Sequence, residues 1–395
     1  MPEYTDCSCT YEFERPDGVF YSGEIIKGRV VVDTTKTFNL SELTIQCDGF
    51  GEVSWEEEVE EKDKGKYTKK YYSRETYVES LTVIRSRLKL VPGRTIYDFS
   101  IQLPEDCASS FKRDYGHVTY ILTLRWKPFS IYFEQPITVL EKVDLNLNPQ
   151  NAIAIKDEEV KYFCCWCCWS GPVQFTLTLP YSGYVPGQKI NYQLEMDNQS
   201  EYDVFGYKVE LVQFSKFHAS HPEPQSREIE VSVARQKHYE GCRRLSKRIF
   251  EGELAVPFKP PTSKAKHIIS IRYYFRMTSK SGGCHWNTEI KVPIAIGTIP
   301  LMESLVAEED DNVTANDGNA EEYDSNQDVE DRWMDCNADE DGVNIEVCET
   351  DPLNSNQPEP SAPEYNDVAD NPPSYENCSE FLFRAKARFR AAARR

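Results

Sequence analysis

The chain has 395 residues, room for two domains of ordinary size and a tail. Its formal charge of −20 is unevenly placed: residues 303–380 hold 25 acidic side chains against the single Arg332, so the first 302 residues are close to neutral. An acidic tail beside a body with no dominant basic face argues against nucleic acid as a partner, and the absence of any apolar run of about 18 residues argues against a membrane span.

Met1-Pro2-Glu3-Tyr4 lacks the basic start and apolar stretch of a signal peptide. Thirteen cysteines, odd in number and irregularly spaced, suit a reducing compartment, so the expected location is the cytoplasm. From Tyr11 to Thr298 the pattern is of short β-rich runs between turn residues, with no long helical period. Ile25–Asp33, with Val30-Val31-Val32, reads as a strand. Leu43–Phe50 reads as the next, ending between Gly49 and Gly51. Residues 53–79 read as a hairpin interrupted at Lys62-Asp63-Lys64-Gly65. Leu81–Leu90 and Thr95–Leu103 follow across a Pro92-Gly93 turn, then Val118–Trp126 and Ile131–Val143. Turns at intervals of roughly 8–12 residues predict an antiparallel sandwich.

The second half repeats this plan. Tyr21-Ser22-Gly23-Glu24-Ile25-Ile26 corresponds to Val185-Pro186-Gly187-Gln188-Lys189-Ile190, and residues 117–126 parallel residues 267–276. A period near 150 residues is too long for a solenoid and predicts two tandem sandwiches. The expected fold class is all-β, with an N-domain over 1–147, a linker and Cys-rich segment over 148–170, a C-domain over 171–302, and a disordered acidic tail over 303–395.

The run Cys164-Cys165-Trp166-Cys167-Cys168-Trp169 admits three readings: a buried strand start, an acylation site adding membrane affinity, or a metal site. Four ligands from one continuous strand would converge poorly, because successive residues alternate faces. Farther on, Arg243, Arg244, Lys247 and Arg248 lie in a stretch opposed only by Glu240. It is either a solvated loop or a contact for an anionic partner, lipid head groups or a phosphorylated cargo tail. The six histidines are scattered and no phosphate-cradling glycine loop exists, so no enzyme, cofactor or small-molecule substrate is expected.

In the tail, Pro372-Pro373-Ser374-Tyr375 places two prolines, pre-set for polyproline II, two positions before an aromatic ring. It resembles the PPxY ligand of WW domains, modules carried by many HECT-class ubiquitin ligases. A degenerate copy stands at Ala362-Pro363-Glu364-Tyr365, with Pro363 and Tyr365 kept and the first proline replaced. The end, residues 381–395, is basic and aromatic; as a helix it would set Phe381, Ala385 and Phe389 on one side, facing an anionic membrane or the acidic tract.

Several separated motifs resemble those of the alpha-arrestins, the arrestin domain-containing proteins. Residues 17–24 (Asp17-Gly18-Val19-Phe20-Tyr21-Ser22-Gly23-Glu24) are similar to the family's opening strand pair. Ser110-Phe111-Lys112-Arg113-Asp114-Tyr115-Gly116-His117-Val118-Thr119-Tyr120 is similar to its SFEGxYGxVxY segment. Val143-Asp144-Leu145-Asn146 resembles the N-domain exit, and Cys164–Gly171 with Tyr184-Val185-Pro186-Gly187 the C-domain entry. Val292-Pro293-Ile294-Ala295-Ile296-Gly297-Thr298-Ile299-Pro300 resembles the closing strand. The resemblance implies an adaptor that joins cytosolic segments of membrane receptors or transporters to a WW-domain HECT ubiquitin ligase, promoting endocytosis, with recruitment to the plasma membrane and endosomes. Family members often carry two full PPxY sites; one site and a defective copy argue against bivalent engagement here. The alternative is a redox- or metal-responsive regulator acting through Cys164, Cys165, Cys167 and Cys168.

Overall fold

Period-two alternation rich in Val, Ile, Tyr and Phe yields strands throughout the body. The computed structural model describes residues 6–61, 65–129, 131–165, 168–264, 267–281 and 287–302. The first half contributes β1 (Cys7–Phe13), β2 (Val19–Tyr21), β3 (Ile25–Thr34), β4 (Phe38–Glu61), β5 (Gly65–Leu90), β6 (Gly93–Gln102), β7 (Phe111–Arg113), β8 (Gly116–Lys127) and β9 (Ile131–Leu140). The second contributes β10 (Ile155–Cys165), β11 (Cys168–Leu179), β12 (Gly183–Tyr184), β13 (Lys189–Asn198), β14 (Val204–Ala219), β15 (Gln225–His238), β16 (Ser246–Ala255), β17 (Ile269–Ser281) and β18 (Glu289–Ile296).

In the first half, sheet β1-β3-β6 packs on sheet β2-β9-β8-β4-β5, with β7 added beside β8. In the second, β10-β11-β13-β16 packs on β12-β18-β17-β14-β15. The cores hold fully buried Tyr120 and Trp126 in the first, and Phe175, Tyr207 and Phe275 in the second. Each such ring removes roughly 150–250 Å² from water, on the order of 4–6 kcal/mol of gross hydrophobic stabilisation.

The internal repeat is present in detail. A short strand runs parallel to the last one in each half, Val19 opposite Thr138 and Gly183 opposite Ala295. The turn that follows is also the same. The Tyr21 amide donates to Glu24 Oε2 and the Val185 amide to Gln188 Oε1, both at 3.0 Å. Gly23 and Gly187 sit at φ +77° and +87°, a region that a side chain at either position would resist.

Three sequence expectations are corrected. Leu43–Phe50 and residues 53–79 are not separate elements: β4 and β5 form one hairpin whose arms run 24 and 26 residues. Gly49 does not end a strand. It lies at a register shift, and a Cβ there would overlap the Tyr120 ring and Val78, so the glycine serves close packing. Within 148–170, residues 155–165 are not linker backbone but strand β10, paired antiparallel to β11 from Ile155–Leu179 onward. Polar Lys156-Asp157-Glu158-Glu159 obscured it, because an edge strand with exposed faces needs no apolar alternation. The Cys run is not one strand start: β10 ends at Cys165, β11 begins at Cys168, and the register sets Cys165 opposite Cys168 and Cys164 opposite Trp169.

Both sandwiches belong to one compact unit. The β4–β5 hairpin reaches past its own sandwich to the β14–β15 connection. Tyr72 and His221 exchange backbone hydrogen bonds of 2.9 and 3.2 Å, and their rings stack at 5.2 Å. Arg227 Nη2 meets Glu57 Oε1 at 2.6 Å, and Phe217 packs on Phe111 and Tyr115. On the other side of the seam Glu75 Oε2 accepts the Ile268 amide at 3.0 Å. Near the crossover, Asp144 bridges Ile299, and Val143 and Thr298 bond reciprocally at 2.8 Å.

Candidate functional site

At one end of the second sandwich three connections converge. The β11–β13–β16 register aligns Val173, Asn198 and Ser246 across the sheet, a span of about 10 Å at ordinary strand spacing. The Gln199 amide donates to Pro172 O at 3.0 Å and the Glu201 amide to Ser170 Oγ at 3.1 Å, tying the β13–β14 connection to the Cys-rich hairpin. On its other flank the Leu245 amide donates to Ser200 O at 3.1 Å and the Arg244 amide to Asp203 Oδ1 at 2.8 Å. The structure thus brings the Cys164–Cys168 hairpin and the Arg243–Arg248 stretch to the same pole.

The β15–β16 connection is built on a buried polar cradle. Asn198 Nδ2 donates to Tyr202 O at 2.8 Å and to Cys242 O at 3.2 Å, while its Oδ1 accepts from the Ser200 amide and hydroxyl. Cys242 is fully buried, and its thiol lies 3.2 Å from Ser246 O. Above this floor Arg243, Arg244 and Leu245 project outward. Leu245 is 71% exposed and held at φ +52°, a conformation that costs a non-glycine residue on the order of 1 kcal/mol or more. Among the described residues neither guanidinium of Arg243 or Arg244 has an ion-pair partner, whereas Lys247 is paired with Glu195 at 2.6 Å and Arg248 with Glu240 at 3.2 Å. Of the four predicted cations, two are therefore free to meet a partner and two are engaged within the fold. Leu245 escaped the sequence reading because a leucine between arginines carries no sign of its exposure or dihedral.

Pro372, Pro373 and Tyr375, and Pro363 and Tyr365, lie outside the described residues, as does Cys167. Among the described residues no three His, Cys, Asp or Glu side chains are grouped to hold a metal. Burial pushes the thiols of Cys9 and Cys47 up to about 12 and that of Cys107 up to about 11, so these cysteines stay protonated and unreactive at neutral pH.

A second polar feature was invisible in sequence. Glu210 on β14 is fully buried on the outer side of its sheet, where Lys208, Arg235 and Arg276 approach it at 2.9, 2.7 and 3.0 Å. Burial alone would raise its carboxyl, but the three cations hold it at about 2. Its two arginines come from β15 and β17, 25 and 66 residues away, so spacing gave no hint of the cluster.

Residues 9–146 match the family described as Arrestin (or S-antigen), N-terminal domain, and residues 169–301 match Arrestin (or S-antigen), C-terminal domain. The chain belongs to the alpha-arrestin family. Arrestin domain-containing protein 17 of Caenorhabditis elegans is 22% identical over 322 residues, covering 74% of this chain and 71% of the relative. Arrestin domain-containing protein 4 of Homo sapiens is 24% identical over 302 residues, covering 73% and 70%. Thioredoxin-interacting protein of Pongo abelii is 25% identical over 198 residues, covering 47% and 49%. Proteins of this family act as adaptors, and the all-β tandem architecture is that of the family. Cys242, the cysteine of the polar loop in this arrestin, is enclosed rather than presented to a partner thiol.

Proposed function

We propose that this arrestin is a non-enzymatic cytoplasmic adaptor that couples membrane receptors or transporters to a WW-domain HECT ubiquitin ligase. The two-sandwich body engages the cargo's cytosolic segment, and Pro372, Pro373 and Tyr375 engage the ligase, so that cargo is ubiquitinated and internalised. The observation that carries this reading is an intact PPxY sequence placed in an acidic, apolar-poor tract after two arrestin domains. Arg243, Arg244 and Leu245 support membrane apposition at the plasma membrane and endosomes, because two unpaired cations flank an exposed apolar side chain on a rigid base. Backbone proximity of the Cys-rich hairpin to the same pole is consistent with acylation there. Cys7, Cys47, Cys107 and Cys242 are buried and burial raises the Cys9 thiol, so none of these five lends support to the redox-responsive alternative.

The test is capture of a ligase fragment containing several WW domains by the full chain, the Tyr375→Ala variant and a Tyr365→Ala variant. Tyr375→Ala is expected to lower capture at least tenfold, with Tyr365→Ala close to the parent. Equal capture by all three, or by none, overturns the ligase reading.

A further inference from the structure

The β15–β16 connection carries a second pattern besides its charge. Arg243-Arg244-Leu245-Ser246 sets two cations three and two residues before a hydroxyl, and nowhere else in the chain do adjacent Lys or Arg residues stand at those distances before a serine or threonine. Protein kinases choose substrates by such charge patterns: carboxylates in the groove of an arginine-directed kinase meet the two guanidinia and leave the hydroxyl at the γ-phosphate of ATP. The structure presents the pattern. Arg243, Arg244 and Leu245 are all exposed, and among the described residues neither guanidinium is committed to a carboxylate, whereas Lys247 and Arg248 beyond the serine are paired with Glu195 and Glu240. Ser246 is the first residue of β16 and half-buried, and its hydroxyl donates to Arg243 O at 2.7 Å. Little holds the turn above it shut. The Arg244 amide bonds to Asp203 Oδ1 at 2.8 Å and the Leu245 amide to Ser200 O at 3.1 Å, and neither bond belongs to a strand ladder. Releasing them frays one strand end, where Asn198–Ser246 is the last pair of its ladder. Leu245 leaves its strained φ of +52° as the turn extends, which offsets part of what those bonds contribute.

We propose that Ser246 is a phosphorylation site of an arginine-directed serine/threonine kinase, and that the phosphate switches off the pole's attraction to anionic surfaces. In the transfer, Ser246 Oγ forms the new bond to the γ-phosphorus of Mg2+-bound ATP and the bond from that phosphorus to the bridging β–γ oxygen breaks. ADP leaves, and the hydroxyl proton passes to the kinase's catalytic aspartate. The product differs from the serine in two ways. The phosphate brings a charge of about −2 beside Arg243 and Arg244, enough to cancel both free guanidinia. It also cannot donate, so the bond from Oγ to Arg243 O is lost, and the turn that holds Leu245 outward loses a tie to β16. The cations and the exposed leucine are therefore withdrawn together, by one chemical event. This consequence rests on the membrane apposition proposed above for Arg243, Arg244 and Leu245, whereas the site itself rests on the sequence pattern and its exposure.

The full chain is incubated with Mg2+, ATP and the catalytic subunit of a cyclic-AMP-dependent protein kinase, whose substrate groove reads two arginines at these positions. Phosphate is expected on Ser246, located by tandem mass spectrometry. Its incorporation should fall at least tenfold in Ser246→Ala and in Arg243→Ala/Arg244→Ala, the second of which alters only exposed side chains. Co-sedimentation with vesicles of equal parts phosphatidylcholine and phosphatidylserine is the second readout: the phosphorylated chain is expected to bind about tenfold more weakly than the unmodified one. Phosphate taken up at Ser246 only after urea unfolding, or incorporation by Ser246→Ala equal to the parent's, would overturn the site. A phosphorylated chain that binds vesicles as the unmodified chain does would overturn the switch. Vesicles that bind neither form would remove the membrane contact on which the switch rests, and the switch with it, while the incorporation measurement still decides the site. Neither assay contains a ligase, so ligase capture through Pro372, Pro373 and Tyr375 is decided separately.

Discussion

Glu210 shows how a single side chain can be fully buried, charged and tolerated. Three cations share it, and each has a stem or edge in water, which reduces the desolvation penalty that a deep ion pair would carry. Because its folded carboxyl sits near 2, below the ordinary value of 4.5, the stabilisation is complete above about pH 4.5 and is lost as pH falls toward 2. We expect Glu210→Gln to lower stability by about 3–5 kcal/mol at pH 7, removing the carboxylate that Lys208, Arg235 and Arg276 share and leaving Arg276 only its contact with Glu230 at 3.4 Å. Its denaturant midpoint should then vary less than the parent's between pH 4.5 and 2.5. Equal slopes for the two proteins would show that the cluster contributes nothing to acid stability. Arg243, Arg244, Lys247 and Arg248 were legible as a group because they are neighbours in the chain. That two are free and two are paired was not, because Glu195 lies on another strand.

At the scale of elements, strand existence was largely readable and strand extent was not. Alternation in Ile25–Asp33, Val118–Trp126 and Thr95–Leu103 matches β3, β8 and β6 closely. The β4–β5 hairpin was divided at Gly49-Phe50-Gly51 because a glycine within an alternating run is equally a strand end or a site of close approach. The choice depends on Tyr120, which lies on β8 and pairs with Gly49 only in the assembled sheet. Gly49→Ala therefore probes packing rather than backbone freedom: the added methyl must displace the buried Tyr120 ring, whose hydroxyl is fixed 2.6 Å from Ala108 O. A loss of about 1–3 kcal/mol is expected, measured by urea unfolding. A loss under about 0.5 kcal/mol would mean that the ring has room to move.

For the whole molecule the decisive contacts are those that join the sandwiches. Phe217 is fully buried against Phe111 and Tyr115, whereas Arg227 and Glu57 form a half-exposed pair. Phe217→Ala should cost about 3–5 kcal/mol and resolve one calorimetric transition into two. Arg227→Ala should cost about 1 kcal/mol and keep a single transition. Two transitions in the parent would show that the seam does not couple the domains. The repeat itself was legible, because the Tyr21–Glu24 and Val185–Gln188 turns must use glycine at positive φ and a side-chain acceptor three residues on, and those needs leave a mark in the chain. So were the all-β class and the family, which rest on local alternation and contiguous motifs. The tertiary structure alone decided that the Cys-rich run is a hairpin, that it shares a pole with Arg243 and Arg244, and that Glu210 is buried. Each of these depends on which strands become neighbours across tens of residues, and pairing partners at that distance are selected by the packed core rather than by local spacing.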